Sequence, residues 1–364
     1  MHFSFNRDIR FAQTLPSRLY VDPTYLALEE EKIFGRTWQL VARAADLAAP
    51  GSFVTAQIGD EAIVIVQDRG TLRGFHNICL HRAGPVASGC GTRQTLQCRY
   101  HGWTYRLDGT LLRAPEMEGT EGFDPESMRL LPVQVATWGP LVFANLDLKA
   151  PPLEHFLEGI GERTARFHPE AMRFVMQKRW TIECNWKVYV DNYLEGYHVP
   201  HVHPELVKLY DFQSYRTECF DWYSLQHSPL SGTANLYTTG EGEAFYYCLF
   251  PNYMLNILPG RLQTNLVLPL GPTRCRVVFQ YFYTDPDAPP VRKLIEEDLA
   301  YSDAVQREDI DICEQVQRGV ESRAYDRGRF SVQYEEGVYH FQRLLKGAYR
   351  AFLAEQGTNG RPRT

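Results

Sequence analysis

The chain has 364 residues, enough for more than one domain and a large buried core. Hydrophobic residues make up 44% and charged residues 23%, a balance typical of globular proteins rather than disordered or fibrous ones. The formal net charge of −6 argues against nucleic acid or an anionic membrane as the main partner, and we expect neither.

The N-terminus and the cysteines indicate a reducing compartment. Residues Met1 to Arg10 include Asp8 and lack the apolar core of a signal peptide. No apolar run approaches the ~18 residues of a membrane-spanning helix. The eight cysteines are scattered and do not form a disulfide framework. We therefore expect a cytoplasmic protein without a membrane partner.

The N-terminal half predicts one helix followed by a β-domain. Asp22 fits the N-cap and Pro23 the first position of a helix that Gly35 can end. Two dipeptides, Arg69-Gly70 and Asp108-Gly109, predict tight hairpin turns. Strands are predicted at Phe53–Ile58, Ala62–Gln67, Trp103–Leu107, Thr110–Arg113 and Leu141–Leu146.

Two short motifs in this β-domain combine cysteine with histidine. The first is Cys79-x-His81, and the second, after sixteen intervening residues, is Cys98-x-x-His101. A Rieske [2Fe–2S] cluster takes two cysteines on one iron and two histidines on the other. A structural zinc site is the alternative, but the usual C-x-x-C and H-x-x-x-H arms are absent. Cys90 lacks a nearby histidine, and we interpret it as a loop thiol.

The C-terminal half predicts a second, α+β domain with an antiparallel sheet. A composition shift at Lys149–Pro152 marks the expected boundary. Helices are predicted at Leu153–Arg166, from Asn185 to about His198 where Pro200 stops it, and from about Pro290 to Val320, which we take as the last helix. Strands are predicted at Arg173–Cys184, Phe245–Leu249, Tyr253–Leu258, Leu262–Leu268 and Arg274–Asp285.

A second metal site is indicated around the end of the helix that precedes Pro200. Iron(II) sites that bind oxygen use two histidines and one carboxylate on one face, with the other positions open. His198 and His203 can supply the two imidazoles, and His201 competes with His203.

A carboxylate on the last predicted helix can complete that site, and helical spacing separates the candidates. Asp309 shares a face with Val305, Cys313 and other apolar residues, whereas Asp311 shares a face with polar ones. Burying a carboxylate on an apolar face is costly unless it is paired or binds a metal. Asp309 is therefore the predicted ligand, and Asp311 is predicted to be a solvated surface charge.

Both motifs resemble those of the Rieske non-heme iron oxygenases, terminal oxygenase component. The likeness covers His81-Arg82, Tyr100 to Trp103 and the segment from Asn185 to His203. It implies an α+β protein with an N-terminal all-β Rieske domain and a C-terminal α+β catalytic domain of the helix-grip type. The corresponding limits are 1–40 for an N-terminal helical segment, 41–150 and 151–356 for the two domains, and 357–364 for a disordered tail.

The resemblance also implies roles for individual residues. The family pattern of an acid, two residues, a histidine, four residues and a second histidine matches Glu195, His198 and His203, which favours His203 over His201. A late helix supplies the third ligand, matching Asp309. Glu195 would bridge His198 to His101 of a neighbouring subunit in a head-to-tail homotrimer, carrying electrons from the cluster to the Fe(II).

In that family, electrons come from NAD(P)H through a separate reductase or ferredoxin, and oxygen is used on a small organic substrate. The chain lacks a G-x-G-x-x-G motif, so NAD(P)H is not expected to bind here. The sequence most resembles the choline, betaine and carnitine branch, which implies hydroxylation or demethylation of a quaternary ammonium or related amine. Aromatic residues that could hold the cation are Tyr237, Phe245, Tyr246, Tyr247, Phe250 and Tyr253. Aromatic-ring (di)oxygenation and pure Rieske electron transfer remain the alternatives.

Overall fold

A computed structural model describes residues 6–209, 214–230 and 242–359 of the chain. The described residues form two compact units: one spans Glu29–Glu158, and the other joins the residues before Glu29 to those from Gly159 onward. The predicted domain limits themselves stay predictions. Within the described ranges, none of the helices combines the length and the apolar character needed to cross a membrane.

The N-terminal segment forms two helices, α1 (Arg18–Val21) and α2 (Pro23–Lys32). The Asp22 carboxylate accepts a hydrogen bond from the backbone N–H of Thr24 at 3.0 Å, as expected for an N-cap. The helix does not extend to Gly35, which lies in a 3₁₀ turn instead. Just beyond the end of the helix, the Thr37 hydroxyl donates to the carbonyl of Ile33 at 2.8 Å.

The unit Glu29–Glu158 is built from two antiparallel sheets. Its strands are β1 (Gln39–Arg43), β2 (Ser52–Ile58), β3 (Glu61–Asp68), β4 (Thr71–His76), β5 (Cys90–Thr92), β6 (Thr95–Gln97), β7 (Thr104–Arg106), β8 (Leu111–Arg113), β9 (Pro132–Trp138) and β10 (Leu141–Asn145), followed by the short helix α3 (Leu153–Phe156). One sheet has the order β1-β10-β9-β4-β3-β2-β5, and the other has the order β6-β7-β8.

The five strands predicted here are present, and the two predicted hairpins connect β3 to β4 and β7 to β8. Arg69 and Gly70 both have positive φ, 51° and 91°, which matches a type I′ turn. Cys90 is an exposed residue at the start of β5, so its predicted loop position is wrong. The short polar strands such as β5 and β6 were missed because they carry no apolar alternation.

The second unit contains one large sheet and its covering helices. Its elements are α4 (Ile160–Thr164), β11 (Arg173–Ile182), α5 (Trp186–Tyr193), α6 (Val199–Val202), β12 (Arg216–Cys219), β13 (Tyr223–Pro229), β14 (Glu243–Leu249), β15 (Tyr253–Leu258), β16 (Arg261–Gly271), β17 (Arg274–Tyr283), α7 (Pro289–Val320) and α8 (Glu336–Asn359). The sheet is fully antiparallel in the order β11-β17-β16-β15-β14-β13-β12. This confirms the predicted antiparallel sheet.

Two helix predictions and the predicted disordered tail need correction. The helix expected over Leu153–Arg166 is interrupted at Gly159, whose φ of +80° is left-handed. The long helix α7 is as predicted, but it is not the last one, because α8 follows. Gly337 and Gly347 lower the helix propensity of α8 and hid it from the pattern. The tail predicted to be disordered begins inside α8, which continues to Asn359, and residues 360–364 lie outside the described part.

Helix α7 lies across the large sheet and is tied to it by polar side chains. Asp298 bonds to Arg261 of β16 at 2.6 Å, and the hydroxyls of Ser302 and Tyr281 are 2.8 Å apart. Lys178 of β11 donates to Asp303 at 2.7 Å. Asp298 and Ser302 are about one helical turn apart and Asp303 is adjacent to Ser302, so these contacts come from one side of α7.

A buried carboxylate links the N-terminal segment to α5 and α8. Asp191 accepts hydrogen bonds from the hydroxyl of Tyr20 at 2.7 Å and from the amide of Gln342 at 3.0 Å. Its other oxygen is buried without a hydrogen-bond partner among the described residues. Burial raises the pKa of Asp191 to about 7, against the opposing effect of the bonds from Tyr20 and Gln342.

We expect this group to make stability depend on pH. Because its pKa is higher in the folded chain than in the unfolded one, its stabilising contribution is complete below pH ~4 and is lost as the pH rises through about 7. The free energy of unfolding should fall between pH 5 and 8 by on the order of 2 kcal/mol from this group. Chemical denaturation at both pH values measures it. Asp191→Asn should flatten the dependence, exposed Asp311→Asn should not, and equal slopes in both variants would contradict the assignment.

Candidate metal centres

The two cysteine–histidine motifs form a matched pair of loops. The N–H of Cys79 donates to the carbonyl of Gly84 at 2.8 Å, and the N–H of Cys98 donates to that of Trp103 at 2.9 Å, five residues on in each case. The residue four positions after each cysteine bonds back to the cysteine carbonyl and has positive φ: 57° at Ala83 and 75° at Gly102. Two equivalent backbone turns therefore present one cysteine each.

The side chains of these loops converge. Cys79 and Cys98 are both buried, and the ring centroids of His81 and His101 are 4.5 Å apart. The Nδ1 atom of His81 is buried without a hydrogen-bond partner among the described residues. A buried, unpaired ring nitrogen near two buried thiols fits a cluster ligand, since such groups otherwise find a partner. The four predicted residues are thus brought together.

Neighbouring residues shape this site further. A Cβ on Gly84 would lie 2.8 Å from Cys98 Sγ, so only glycine leaves room for the sulfur. Trp103 stacks on the His81 ring at 5.0 Å, and the Tyr105 hydroxyl lies 3.4 Å from Cys79 Sγ. Burial and the adjacent Cys79 raise the pKa of the Cys98 thiol. Holding thiolates here therefore requires a positively charged metal.

The second predicted site forms where helix α5 ends and the chain continues into the connection to α6. The helix expected to run to His198 ends at Tyr193, so Glu195 and His198 lie in the connection to α6. Pro200 does not stop a helix, because it occupies the first turn of α6, where proline needs no N–H partner. The short α6 then places His203 at its end, beside His198, with ring centroids 5.1 Å apart.

Helix α7 completes the second site. Asp309 Oδ1 lies 3.0 Å from His203 Nε2 and 3.8 Å from His198 Nε2. One ligand atom from each of these three residues lies within 4.8 Å of the others. Among the described residues, this is the one group of three potential metal ligands whose ligand atoms lie this close together. His201 and Asp311 are exposed and stand outside it. Two imidazoles and one carboxylate in this arrangement fit a mononuclear iron with open positions.

Each histidine of the second site also bonds to an outer carboxylate. His198 Nδ1 lies 2.8 Å from Glu195 Oε1, and His203 Nδ1 lies 2.7 Å from Glu308 Oε2. Such pairs leave each Nε2 to face Asp309 and orient the ring for a metal. Burial alone would lower the pKa of His203, but Asp309 and Glu308 outweigh it and raise that pKa. These carboxylates therefore give the site a negative electrostatic potential, which attracts a cation.

Sequence reasoning did not assign roles to Glu308 or Asn192. Glu308 directly precedes Asp309, and its acidity beside the predicted ligand was a usable signal. Asn192 donates to Asp309 Oδ1 at 2.7 Å. Nothing in the sequence distinguishes Asn192 from a surface amide, because its contact depends on how α5 packs against α7.

We expect Glu308→Gln to weaken iron binding at the second site by about 10- to 100-fold, because the His203 ring loses its charged partner. Iron titration of the apoprotein, followed by equilibrium dialysis, measures the dissociation constant. Glu296→Gln, an exposed glutamate on the same helix, serves as the matched control. Unchanged iron affinity in the Glu308 variant would show that this carboxylate does not position His203.

A cavity of about 160 Å³ opens beside the three ligand residues. Besides them it is lined by aromatic residues (Tyr189, Tyr193, Tyr215, Tyr246, Phe279 and Tyr301) and by amides (Asn192, Gln226, Asn256, Gln263, Asn265 and Gln306), with Glu195 and Arg261 among the others. Gln226, Tyr246, Asn256 and Gln263 are register partners on neighbouring strands, so one row across the sheet forms much of the wall.

The predicted set of cation-holding aromatics is largely wrong. Of its members only Tyr246 lines the cavity, while Tyr237 lies outside the described residues. Phe245 and Tyr247 flank Tyr246 on β14 and so point to the opposite face. The sequence could not show that tyrosines from α5, from α7 and from the residue before β12 converge on the same space.

Comparison with known proteins identifies both units. Residues 37–132 match the family model described as the Rieske [2Fe-2S] domain. Residues 168–351 match the model described as the ring hydroxylating alpha subunit, catalytic domain. The predicted fold class, an N-terminal Rieske domain followed by an α+β catalytic domain with an antiparallel sheet, is therefore confirmed.

Several characterised proteins are similar over most of the chain. Chloroplastic choline monooxygenase of Arabidopsis thaliana is 37% identical over 351 residues, which cover 92% of this chain and 82% of the relative. The carnitine monooxygenase oxygenase subunit of Escherichia coli (strain K12) is 31% identical, with 93% and 94% covered. A solved quaternary ammonium Rieske monooxygenase, described for carnitine oxidation and inter-subunit electron transfer, gives a TM-score of 0.83 at 28% identity, with 94% and 96% covered.

Proposed function

Because this chain belongs to the Rieske non-heme iron oxygenases, we propose that it is a terminal oxygenase that hydroxylates or oxidatively demethylates a quaternary ammonium compound or a related amine. A Rieske [2Fe–2S] cluster and a mononuclear iron are the cofactors of this family, and a partner reductase supplies its electrons. When bound, the cluster supplies single electrons and the iron supplies a centre that activates oxygen.

The residue assignments follow from the convergence of side chains described above. Cys79 and Cys98 hold one iron of the cluster, and His81 and His101 hold the other. The buried, unpaired Nδ1 of His81 supports this division. The mononuclear iron is held by three residues: His198, His203 and Asp309. Their ligand atoms, within 4.8 Å of one another, support this set.

Glu195 is proposed to bridge His198 and His101 of a neighbouring subunit in a head-to-tail homotrimer, which would provide a hydrogen-bonded route for electrons from the cluster to the mononuclear iron. Its Oε2 accepts the backbone N–H groups of Tyr197 and His198, and its Oε1 accepts from His198 Nδ1. A carboxylate offers about four acceptor positions, and the described residues fill three of them, so one position on Oε1 could accept from a further donor. The imidazole N–H of His101 from the partner copy has the chemistry to fill it.

A cytoplasmic location stays a prediction from the scattered cysteines.

The residues that line the cavity support the proposed class of substrate. Five tyrosines, Tyr189, Tyr193, Tyr215, Tyr246 and Tyr301, line the cavity together with the acidic residues of the metal site. Aromatic faces and nearby carboxylates attract a quaternary ammonium, which cannot donate hydrogen bonds and is held by its charge alone. The many amides of the wall disfavour an aromatic hydrocarbon, because burying them against it would leave them unpaired.

The two alternatives differ in what they require of the chain. A Rieske electron carrier needs only the first ~150 residues, whereas this chain continues through a catalytic-domain match at residues 168–351. An aromatic-ring (di)oxygenase needs an apolar cavity, and the amides of this wall count against one.

The reaction can be tested with anaerobically reconstituted protein, NADH and a surrogate reductase. We expect trimethylammonium compounds to trigger NADH and oxygen consumption together with release of an aldehyde. Toluene and naphthalene should trigger neither. Consumption triggered only by the aromatic hydrocarbons would replace this proposal with the ring-oxygenase alternative.

A further inference from the structure

The charges along the cavity are unevenly placed. Glu195, His198, His203 and Asp309 lie at the metal site, while Arg261 is the one arginine, with no lysine beside it, among the described lining residues. The two internal segments outside the description, 210–213 and 231–241, contain neither lysine nor arginine. Among the described residues of the cavity, Arg261 is therefore the basic side chain that could pair with a substrate carboxylate.

Arg261 is already neutralised within the protein. Its Nε donates to Asp298 Oδ2 at 2.6 Å, and the two side chains are 5% and 0% exposed. A second guanidinium N–H donates to Gln263, and the hydroxyl of Tyr283 also donates to Asp298. A buried ion pair of this kind has no net charge. Separating it to bind another anion would leave Asp298 buried and uncompensated, which is strongly unfavourable.

The neutral pair also lies far from the metal site. Asp298 and Asp309 are both on α7, and their separation in sequence corresponds to ~16 Å along the helix axis. Gln306 lies only ~4.5 Å along that axis from Asp309. Along α7, Gln306 is thus nearer to the metal site than Asp298, the partner of Arg261, and a small substrate held beside Asp309 lies within its reach.

Gln306 carries a buried donor that points to a ligand. Its side chain is 1% exposed and lines the cavity. Its Oε1 accepts from the hydroxyl of Tyr189 at 2.7 Å, which orients the amide. Its Nε2 has no hydrogen-bond partner among the described residues, and neither has the hydroxyl of Tyr301 across the same cavity. Leaving a buried N–H or O–H donor without a hydrogen bond costs free energy, so we expect an oxygen atom of a ligand to accept from it.

We infer that the substrate is a quaternary ammonium compound whose second functional group is an uncharged oxygen, a hydroxyl or carbonyl held by Gln306, and that the Arg261–Asp298 pair makes the cavity reject carboxylates. This inference rests on the proposed function and specifies the substrate class of the same site. Gln306 is a specificity-determining residue in this account, and Asp298 keeps Arg261 from acting as an anion receptor.

The test compares alcohols and acids of equal length with the full, metal-loaded chain. Choline and glycine betaine share a trimethylammonium group and a two-carbon arm, and 4-hydroxybutyl-trimethylammonium and γ-butyrobetaine form a four-carbon pair. We expect kcat/KM to favour the alcohol of at least one pair by more than about 30-fold, corresponding to about 2 kcal/mol. Equal or greater kcat/KM for both acids would overturn the inference while leaving the proposed function intact. No turnover with any of the four would instead overturn the proposed function, and the inference with it.

Two variants test the named residues. Gln306→Met should raise KM for the preferred alcohol by about 10-fold or more, yet leave the dissociation constant of oxygen-free tetramethylammonium unchanged. Exposed Gln315→Met on the same helix is the control and should change neither value. Asp298→Asn should increase the affinity for the acids by freeing Arg261. If the Asp298 variant does not fold, the substrate pairs and Gln306→Met still test the inference. Equal weakening of choline binding and tetramethylammonium binding by Gln306→Met would overturn the role of Gln306.

Discussion

Asp309→Ala is expected to remove the mononuclear iron and leave the Rieske cluster intact. The reason is that Asp309 Oδ1 is the only carboxylate oxygen in the described three-residue group, within 3.8 Å of both Nε2 atoms. Total iron should fall from about three to about two per chain, while the visible spectrum of the cluster is retained. Substrate-dependent turnover should be lost with the iron.

The matched control for this prediction is Asp311→Ala, two residues further along α7. Asp311 is exposed and stands outside the ligand group, so this variant should retain about three irons per chain and normal turnover. Iron analysis by mass spectrometry, combined with the absorption spectrum, measures both variants. Normal iron content in the Asp309 variant would exclude that residue as the third ligand.

Glu195→Gln is expected to keep both metal centres and to lower turnover by on the order of 100-fold. The glutamine retains an oxygen that can accept from His198 Nδ1, so the ring stays in place. It cannot accept from a second imidazole N–H as a carboxylate does, because it lacks the negative charge and one of the two oxygens. Transfer from the cluster to the iron should therefore become the slow step.

Stopped-flow mixing of reduced protein with oxygen and substrate isolates that step, since the cluster absorbance reports its oxidation. Glu205→Gln is the control, because Glu205 is exposed and forms a local pair with Lys208 at 2.6 Å. Cluster oxidation at the normal rate in the Glu195 variant would remove the proposed link between subunits. Loss of iron from it would assign Glu195 a structural role at His198 instead.

The residues that converge at the two candidate metal centres could be predicted from the sequence because most of them lie in short local motifs. The two cysteine–histidine motifs are short, and each folds into its own turn, so spacing alone places Cys79 near His81 and Cys98 near His101. Helical periodicity distinguished Asp309 from Asp311, and both residues do lie in the long helix α7. The antiparallel character of the large sheet followed from the segregation of strands and helices.

What could not be predicted depends on contacts between distant segments. The break after Tyr193 was missed because Glu195, His198 and Pro200 are compatible with a continuing helix and its end. The pairing of Glu308 with His203 joins residues 105 positions apart and leaves no mark on either local pattern. The cavity wall combines strands, α5 and α7, and therefore its tyrosines and amides emerge only in the folded chain.

Iron and acid-labile sulfide analysis of the purified, anaerobically reconstituted chain tests the whole account most directly. Two centres with the ligands assigned here require about three irons and two sulfides per chain. Two irons with two sulfides would leave only an electron carrier. Zinc in place of iron at Cys79, His81, Cys98 and His101, without sulfide, would contradict the account altogether.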